Sequence, residues 1–176
     1  MKVRTVIKSK EKGLIEDTMQ IVTFHVGNEE YGLEIKFITE VIRPLKITLL
    51  PHMQKFIEGV INLRGAIIPV VDLRKRFYLE AEIHNTKALR LMIIRGAIHS
   101  VSGGGNELLG LLVDSVKEVL DIPFSNIEPA PVAATGLKAE LISGVGKVNE
   151  RLIILLDVSK ILSRQERSAL TGVENV

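Results

Sequence analysis

The sequence predicts a mainly β protein built as two small barrels packed together. Three observations carry that expectation. Ile57, Gly59, Val60, Ile68, Asp72 and Lys75 recur as Ile142, Gly144, Val145, Ile153, Asp157 and Lys160, always 85 residues on, as from Gly59 to Gly144. A second block, YGLEIKFITEV from Tyr31 to Val41, matches LGLLVDSVKEV from Leu109 to Val119 at an offset of 78, as from Tyr31 to Leu109. The two offsets differ in the connection between the blocks, where insertions are tolerated. The third observation is a run of short β-rich segments broken by turn residues, the pattern of small barrels or a sandwich. Two copies of about 70 residues fit two small units, each of which alone buries little core. The apolar surface between them is therefore expected to hold the pair as one folding unit.

The elements follow in order. IVTFHV (Ile21 to Val26) is rich in strand formers, and GNEE (Gly27 to Glu30) supplies a hairpin turn before YGLEI. ITEVI runs to a stop at Pro44. HMQKFIEG, after Pro51, has room for one short helical turn. GVINL and AIIPVV flank a tight turn at Arg64-Gly65, and Pro69 inside the second strand argues for an edge position or a neighbouring bulge. ALRLMIIR reads as a buried strand, HSVSGGGNE as a hairpin tip and LLGLLV as the returning strand. A long connection from Pro123 to Glu140 carries Pro123, Pro129 and Pro131. LISGV, KVNERLIILL and a helical segment from Asp157 complete the chain.

Composition removes several function classes. Of 176 residues, 46% are apolar and 25% charged, with a net charge of +2, which suits a globular protein with a real core and gives no general basic face for nucleic acid. The basic run Lys2, Arg4, Lys8, Lys10 and Lys12 reads as a solvated tail. The absence of cysteine excludes disulfides, thiolate catalysis and zinc–thiolate sites and agrees with a reducing cytosol. No apolar run reaches the roughly 18 residues of a membrane span, and the N-terminus lacks a signal-peptide core, so a cytoplasmic location is expected.

Individual sites are weighed against ordinary structural roles. Asp72 and Asp157 occupy equivalent places, each after a strand and before a short turn, where a carboxylate caps backbone N–H groups. A repeated capping pair explains them without catalysis. His25, His52, His84 and His99 form no ligand spacing. Gly103-Gly104-Gly105 lacks the spacing and following helix of a phosphate loop. Arg64 differs: it stands at a tight turn between two apolar strands, and arginine is enriched among binding hot spots. Glu40 is the nearest suitable partner, and a Glu40–Arg64 ion pair that orients the guanidinium is the expectation. Lys36, Arg43, Lys46, Arg74, Lys75 and Arg76 scatter positive charge, which most often marks a solvated face and otherwise steers an acidic partner.

The stretches EEYGLEI (Glu29 to Ile35), FIEGVINLRGAIIPVVDLRKRF (Phe56 to Phe77), GLLVDSVKEVLDI (Gly110 to Ile122) and LIILLDVSKIL (Leu152 to Leu162) resemble the CheW-type chemotaxis coupling proteins, over about Gln20 to Leu162. The resemblance implies two SH3-like five-stranded β-barrels sharing a hydrophobic interface, with short helical turns and a C-terminal helix. It implies subdomains at 19–85 and 86–163 with tails at 1–18 and 164–176, strand exchange between the subdomains being left open. It implies a non-enzymatic adaptor without cofactor or metal. Its partners would be the regulatory domain of a CheA-type histidine kinase and the cytoplasmic tip of chemoreceptors, with no nucleic acid and no membrane insertion. Arg64, Glu40, Ile38, Gly59, Leu89 and Val116 match receptor-contact positions, and Val22 and Ile35 match kinase-contact positions. Val116 is also the repeat equivalent of Ile38, so the two are expected to face each other across a groove. The alternatives are a free-standing regulatory module of a histidine kinase, a nucleic-acid-binding barrel, which the 4% aromatic content disfavours, and a small hydrolase, for which no constellation is present.

Overall fold

A computed structural model describes residues 17–79, 85–98, 107–131 and 137–171. The basic N-terminal run, His84, His99 and the triple-glycine tip lie outside them. Eleven strands occur in this part of the chain: β1 (Thr18–Val26), β2 (Glu29–Glu34), β3 (Ile38–Ile42), β4 (Ile57–Leu63), β5 (Ala66–Asp72), β6 (Arg90–Arg95), β7 (Leu108–Val113), β8 (Ser115–Pro123), β9 (Ile127–Glu128), β10 (Ile142–Val148) and β11 (Arg151–Leu156). Three short helices accompany them: α1 (Leu73–Arg76), α2 (Leu137–Glu140) and α3 (Arg164–Thr171).

The strands form two sheets, in the orders β8-β1-β2-β11-β10-β9 and β3-β6-β7-β5-β4. The sheets do not divide at residue 85. Each half of the chain sends its first hairpin into the other half's sheet: β1–β2 sits among β8 to β11, and β6–β7 sits among β3 to β5. The crossings show why. Only Asp114 separates β7 from β8, and one residue cannot reverse a chain into a hairpin, so β8 runs on into the other sheet. Between β2 and β3 the 3₁₀ turn Ile35–Phe37 redirects the chain in the same way. Neither 19–85 nor 86–163 therefore contains a whole barrel.

The exchange is symmetric to the residue. β5 runs parallel to β7 with Val70 opposite Gly110, and β11 runs parallel to β2 with Leu155 opposite Gly32. These pairs are related by the offsets of 85 and 78. Ile38 opposite Ile94 has its counterpart in Val116 opposite Phe24. The bulge at Ile57/Gly59 returns at Ile142/Gly144. The two-residue β9, which pairs Glu128 with Val145, is matched by an isolated bridge of Thr48 to Val60.

Period-2 alternation fills three cores. On β6, Leu91 and Ile93 enter one barrel with Ile61, Ile68 and Val70, while Met92 and Ile94 face the other way. Ile21, Ile122, Ile153 and Leu155 fill the second barrel. The largest cluster lies between the sheets and joins Val22, Phe24, Tyr31 and Leu33 to Val71, Leu73, Met92, Ile94, Leu109 and Leu111. Tyr31 stacks on Phe24 and, across the sheets, on Phe77 with centroids 5.0 Å apart. Burial pushes the Tyr31 hydroxyl pKa up, and its hydrogen bond to Glu29 adds to the shift.

Several local expectations change. HMQKFIEG forms a turn but no helix: Ile57 N donates to Gln54 O at 2.9 Å, and β4 starts at Ile57, where Asp72 N donates to Phe56 O at 2.8 Å. Pro69 lies on the interior strand β5 rather than at an edge, and it stands next to a bulge, the other expected setting: the register shifts at Ile57/Gly59, beside the Val60–Pro69 pair. Its neighbour Val60 gives both backbone groups to Thr48, so Val60–Pro69 is a non-hydrogen-bonded pair. The nitrogen of Pro69 thus points away from β4, on the side where pairing with β7 begins only at Val70. Asp72 accepts from the N–H groups of Arg74 and Lys75, and Asp157 from that of Ser159, as capping predicts. Residues 164–171 are no tail. Ser163 and Glu166 form a reciprocal capping box at the start of α3. Arg76, 3% exposed, donates to Ile161 O and to both Glu166 oxygens and lies 4.3 Å over the Phe56 ring, which fastens α3 to α1.

Gly59 is the tightest point of the sheet. Its φ is +138°, and a Cβ there would stand 2.1 Å from Thr48 O. Gly65 also has a positive φ, +87°, but a Cβ there meets nothing within 4 Å. Gly59→Ala is expected to cost about 2 kcal/mol or more and Gly65→Ala about 1 kcal/mol, read from the denaturant midpoints. Equal losses would show that backbone conformation, not the Thr48 contact, sets the cost.

Candidate functional site

The β4–β5 connection is a two-residue turn, and Arg64 and Gly65 both have positive φ, +51° and +87°. That is the requirement of a type I′ hairpin, which favours Asn and Gly. Asn62 Oδ1 accepts from Gly65 N at 2.9 Å and closes the turn. An arginine at the first position is held in the left-handed region at a cost of roughly 1–2 kcal/mol. In return the side chain stands 69% exposed at the tip. Its guanidinium donates to Glu40 on β3, whose side chain is 24% exposed, so the expected ion pair is present and fixes the direction of the arginine.

The remaining positions distribute over both sheets. Ile38 opens β3, half-buried against the inter-sheet cluster. Val116 lies on β8 of the other sheet, half-buried against the same cluster. The two thus sit over one core from opposite sheets. Leu89 is half-buried at the end of a 3₁₀ turn, Thr86–Ala88, where Arg90 Nη1 donates to the carbonyls of Lys87, Ala88 and Leu89. Gly59 is buried, and the close approach of Thr48 accounts for it without contact to a partner.

Val22 lies on β1 of the six-stranded sheet, not on the sheet that carries Arg64, and Ile35 opens the 3₁₀ turn by which the chain leaves β2. Ile35 is half-buried in the crossing turn. Val22 is 6% exposed within the inter-sheet core, because its side chain alternates inward between Ile21 and Thr23. Ile35 thus keeps part of its surface exposed, and Val22 does not.

Sequence reasoning missed the second barrel's counterpart of the Glu40–Arg64 pair. Glu118 lies 78 residues after Glu40, and Asn149-Glu150, both at positive φ, form the turn equivalent to Arg64-Gly65. Arg151, one residue past that turn, bonds Glu118 at 2.8 Å and also holds Glu30. The Arg151 hydrogen bond keeps Glu30 below the usual carboxylate range, against burial that would raise it, and the two glutamates hold the Arg151 pKa up. Ile67 and Leu152, related by the offset of 85, are exposed beside these pairs at 42% and 60%. The signal was in the sequence, since the second block repeats a glutamate at the Glu40 position. The arginine is out of register by two, and that concealed the pair.

Comparison with known proteins follows the same lines. The family model described as CheW-like domain matches residues 20–166. The chemotaxis protein CheW of Klebsiella aerogenes is 32% identical over 154 residues, which cover 88% of this chain and 87% of that protein. The chemotaxis protein CheW of Helicobacter pylori is 33% identical over 149 residues, 85% of this chain and 84% of that one. The crystal structure of scaffolding protein TtCheW from Thermoanaerobacter tengcongensis superposes with a TM-score of 0.73 at 35% identity, covering 85% of this chain and 96% of that one.

Arg64→Asn tests what the turn arginine is for. Asn suits the left-handed position, and an exposed ion pair contributes little. The denaturant midpoint is expected to stay level or to rise by up to about 1 kcal/mol. A clear loss of stability would show that the Glu40–Arg64 pair serves the fold.

Proposed function

The chain belongs to the CheW-like family of chemotaxis scaffolds, which are not enzymes, and from that premise we propose that it couples a CheA-type histidine kinase to chemoreceptors. The receptor's cytoplasmic tip lies in the groove between the barrels, against Ile38 and Val116, and meets Arg64 and Glu40 at its edge. Leu89 lies beside this surface. The kinase regulatory domain docks around Ile35, at the crossing turn that follows β2. The protein works in the cytoplasm, where its partners bring it to receptor arrays at the inner membrane.

One observation carries this reading. An arginine is held in a strained turn, aimed by a glutamate and left exposed, with an exposed isoleucine three residues on. A fold gains nothing from that arrangement, whereas an interface gains a pre-aimed guanidinium. Arg64 and Glu40 lie on the five-stranded sheet and Ile35 on the crossing turn after β2, and coupling requires that both faces be occupied together. A receptor change can then reach the kinase through packed interfaces. A free-standing regulatory module of a kinase would share the fold, and it would not bind a receptor tip and a separate kinase domain at once.

Titration calorimetry against a receptor tip and against a kinase regulatory domain checks the assignment. Arg64→Glu is expected to weaken receptor binding by about 2 kcal/mol or more, roughly thirtyfold, with the circular dichroism spectrum unchanged. An unaltered receptor affinity in a folded variant refutes the role of Arg64. Ile35→Asp is expected to reduce kinase binding more than receptor binding. Equal loss of both, with a lowered melting point, would place Ile35 in the core instead.

A further inference from the structure

The chain crosses between the sheets twice, and the crossings are built differently. At the second crossing Asp114 stands alone between β7 and β8. Its backbone N–H donates to His25 O at 3.0 Å, and its carboxylate accepts from Gly27 N at 2.8 Å, which ties it to β1 and to the β1–β2 turn. The same carboxylate accepts both Nε, at 3.2 Å, and Nη2 of Arg74. Arg74 rises from α1, at the end of β5 in the other sheet. The pair is bidentate, and its side chains are only 11% and 19% exposed, so water and salt screen it little. Arg74 and Asp114 each stand two residues past the paired Asp72 and Leu112 of the neighbouring strands β5 and β7, so the fork closes the end of the five-stranded sheet and fixes the carboxylate that also holds Gly27 of the other sheet.

The first crossing has no such fork. The offset of 78 takes Asp114 to Lys36, and the offset of 85 takes Arg74 to Ser159. Lys36 is 63% exposed and bonds Glu34 within its own segment, and Ser159 bonds Asp157. Apolar contact holds this side instead: Phe37 packs against the inter-sheet cluster and lies 3.5 Å from the position a Cβ of Gly96 would take. Apolar packing is non-directional, whereas a bidentate pair fixes orientation.

We propose that Arg74 and Asp114 are positioning residues that set the angle between the barrels and, through it, the spacing of Ile38 and Val116. Val116 follows Asp114 by two residues on β8, and Ile38 follows the unforked crossing directly. The fork holds one edge of the groove, and the apolar crossing is the edge about which the barrels turn when it is broken. The partner side of this inference rests on the receptor reading given above, and the geometric side does not.

The chain has no cysteine, so two spin labels can be placed without background. Gln54→Cys puts one at an exposed position of the turn that leads into β4, and Asp121→Cys puts the other at an exposed position of β8. Pulsed electron–electron distance measurement on the full chain is expected to give one narrow distribution. Arg74→Gln and Asp114→Asn each broaden or shift it, and Arg74→Lys recovers part of the original. In the same variants, receptor-tip affinity falls about tenfold and kinase-domain affinity changes less than about twofold. An unchanged distance distribution in both neutral variants overturns the proposal, as does an affinity loss without a change in distance. Should the unaltered protein fail to bind a receptor tip, the functional reading falls, and the distances still decide whether the fork sets the angle. Asp114→Asn keeps the shape of the side chain and an acceptor for Gly27, so it serves if Arg74→Gln does not fold.

Discussion

The packing between the two sheets is the constraint on which the rest of this structure depends. β1, β2, β6 and β7 are covered on both faces, one by a barrel interior and the other by the inter-sheet cluster. On β6 that demands the unbroken apolar run Leu91, Met92, Ile93, Ile94, and on β7 it gives Leu109, Leu111 and Val113 a buried place. Each of these hairpins is covalently part of one half and structurally part of the other. Neither barrel can then lose its inserted hairpin without opening the core that joins it to its neighbour. The aromatic stack of Tyr31 on Phe77 and the Arg76–Glu166 contact reinforce the same boundary.

Function follows from that rigidity. An adaptor must hold two partners in a fixed relation, and two barrels joined by a flexible linker would not transmit the orientation of one to the other. Here the proposed receptor face lies on the sheet of Arg64 and Glu40 and along the groove, while Ile35 lies on the crossing turn that leaves the other sheet. The duplication also shows how one plan can diverge. Both barrels end in a left-handed turn with an arginine–glutamate pair and an exposed aliphatic residue. Arg64 is raised at the tip with one carboxylate, and Arg151 is drawn down against two. The first arrangement leaves a guanidinium for a partner, and the second largely satisfies it within the chain.

Much of this was legible in the sequence. The offsets of 85 and 78 located the repeated elements, and the Asp72 and Asp157 caps and the Arg64-Gly65 turn are local chemistry that short segments encode. The exchange of hairpins was not legible, because strand pairing across a sequence repeat leaves no mark on alternation: β1 reads the same whichever sheet it joins. The same limit hid the burial of Val22, since a strand covered on both faces shows no polar side. β8, with Lys117, Glu118 and Asp121 exposed, is too polar to stand out as a strand, and its register comes from its pairing with β1. Pro69 signalled the neighbouring bulge at Ile57/Gly59 and not an edge, because a proline on an interior strand is acceptable where the missing N–H faces an unpaired stretch. A C-terminal helix was expected from Asp157, but α3 starts at Arg164, after the Ser163–Glu166 capping box, and its anchor Arg76 lies 90 residues away from Glu166.

Native-state hydrogen exchange across a denaturant series tests the central claim most directly. If the exchanged hairpins make the barrels one unit, the slowest amides of β1, β6, β7 and β11 open with the same free energy and the same denaturant dependence, that of global unfolding. Opening of β1, β2 and β8 to β11 at a distinctly lower free energy, while β3 to β7 remain protected, would contradict it.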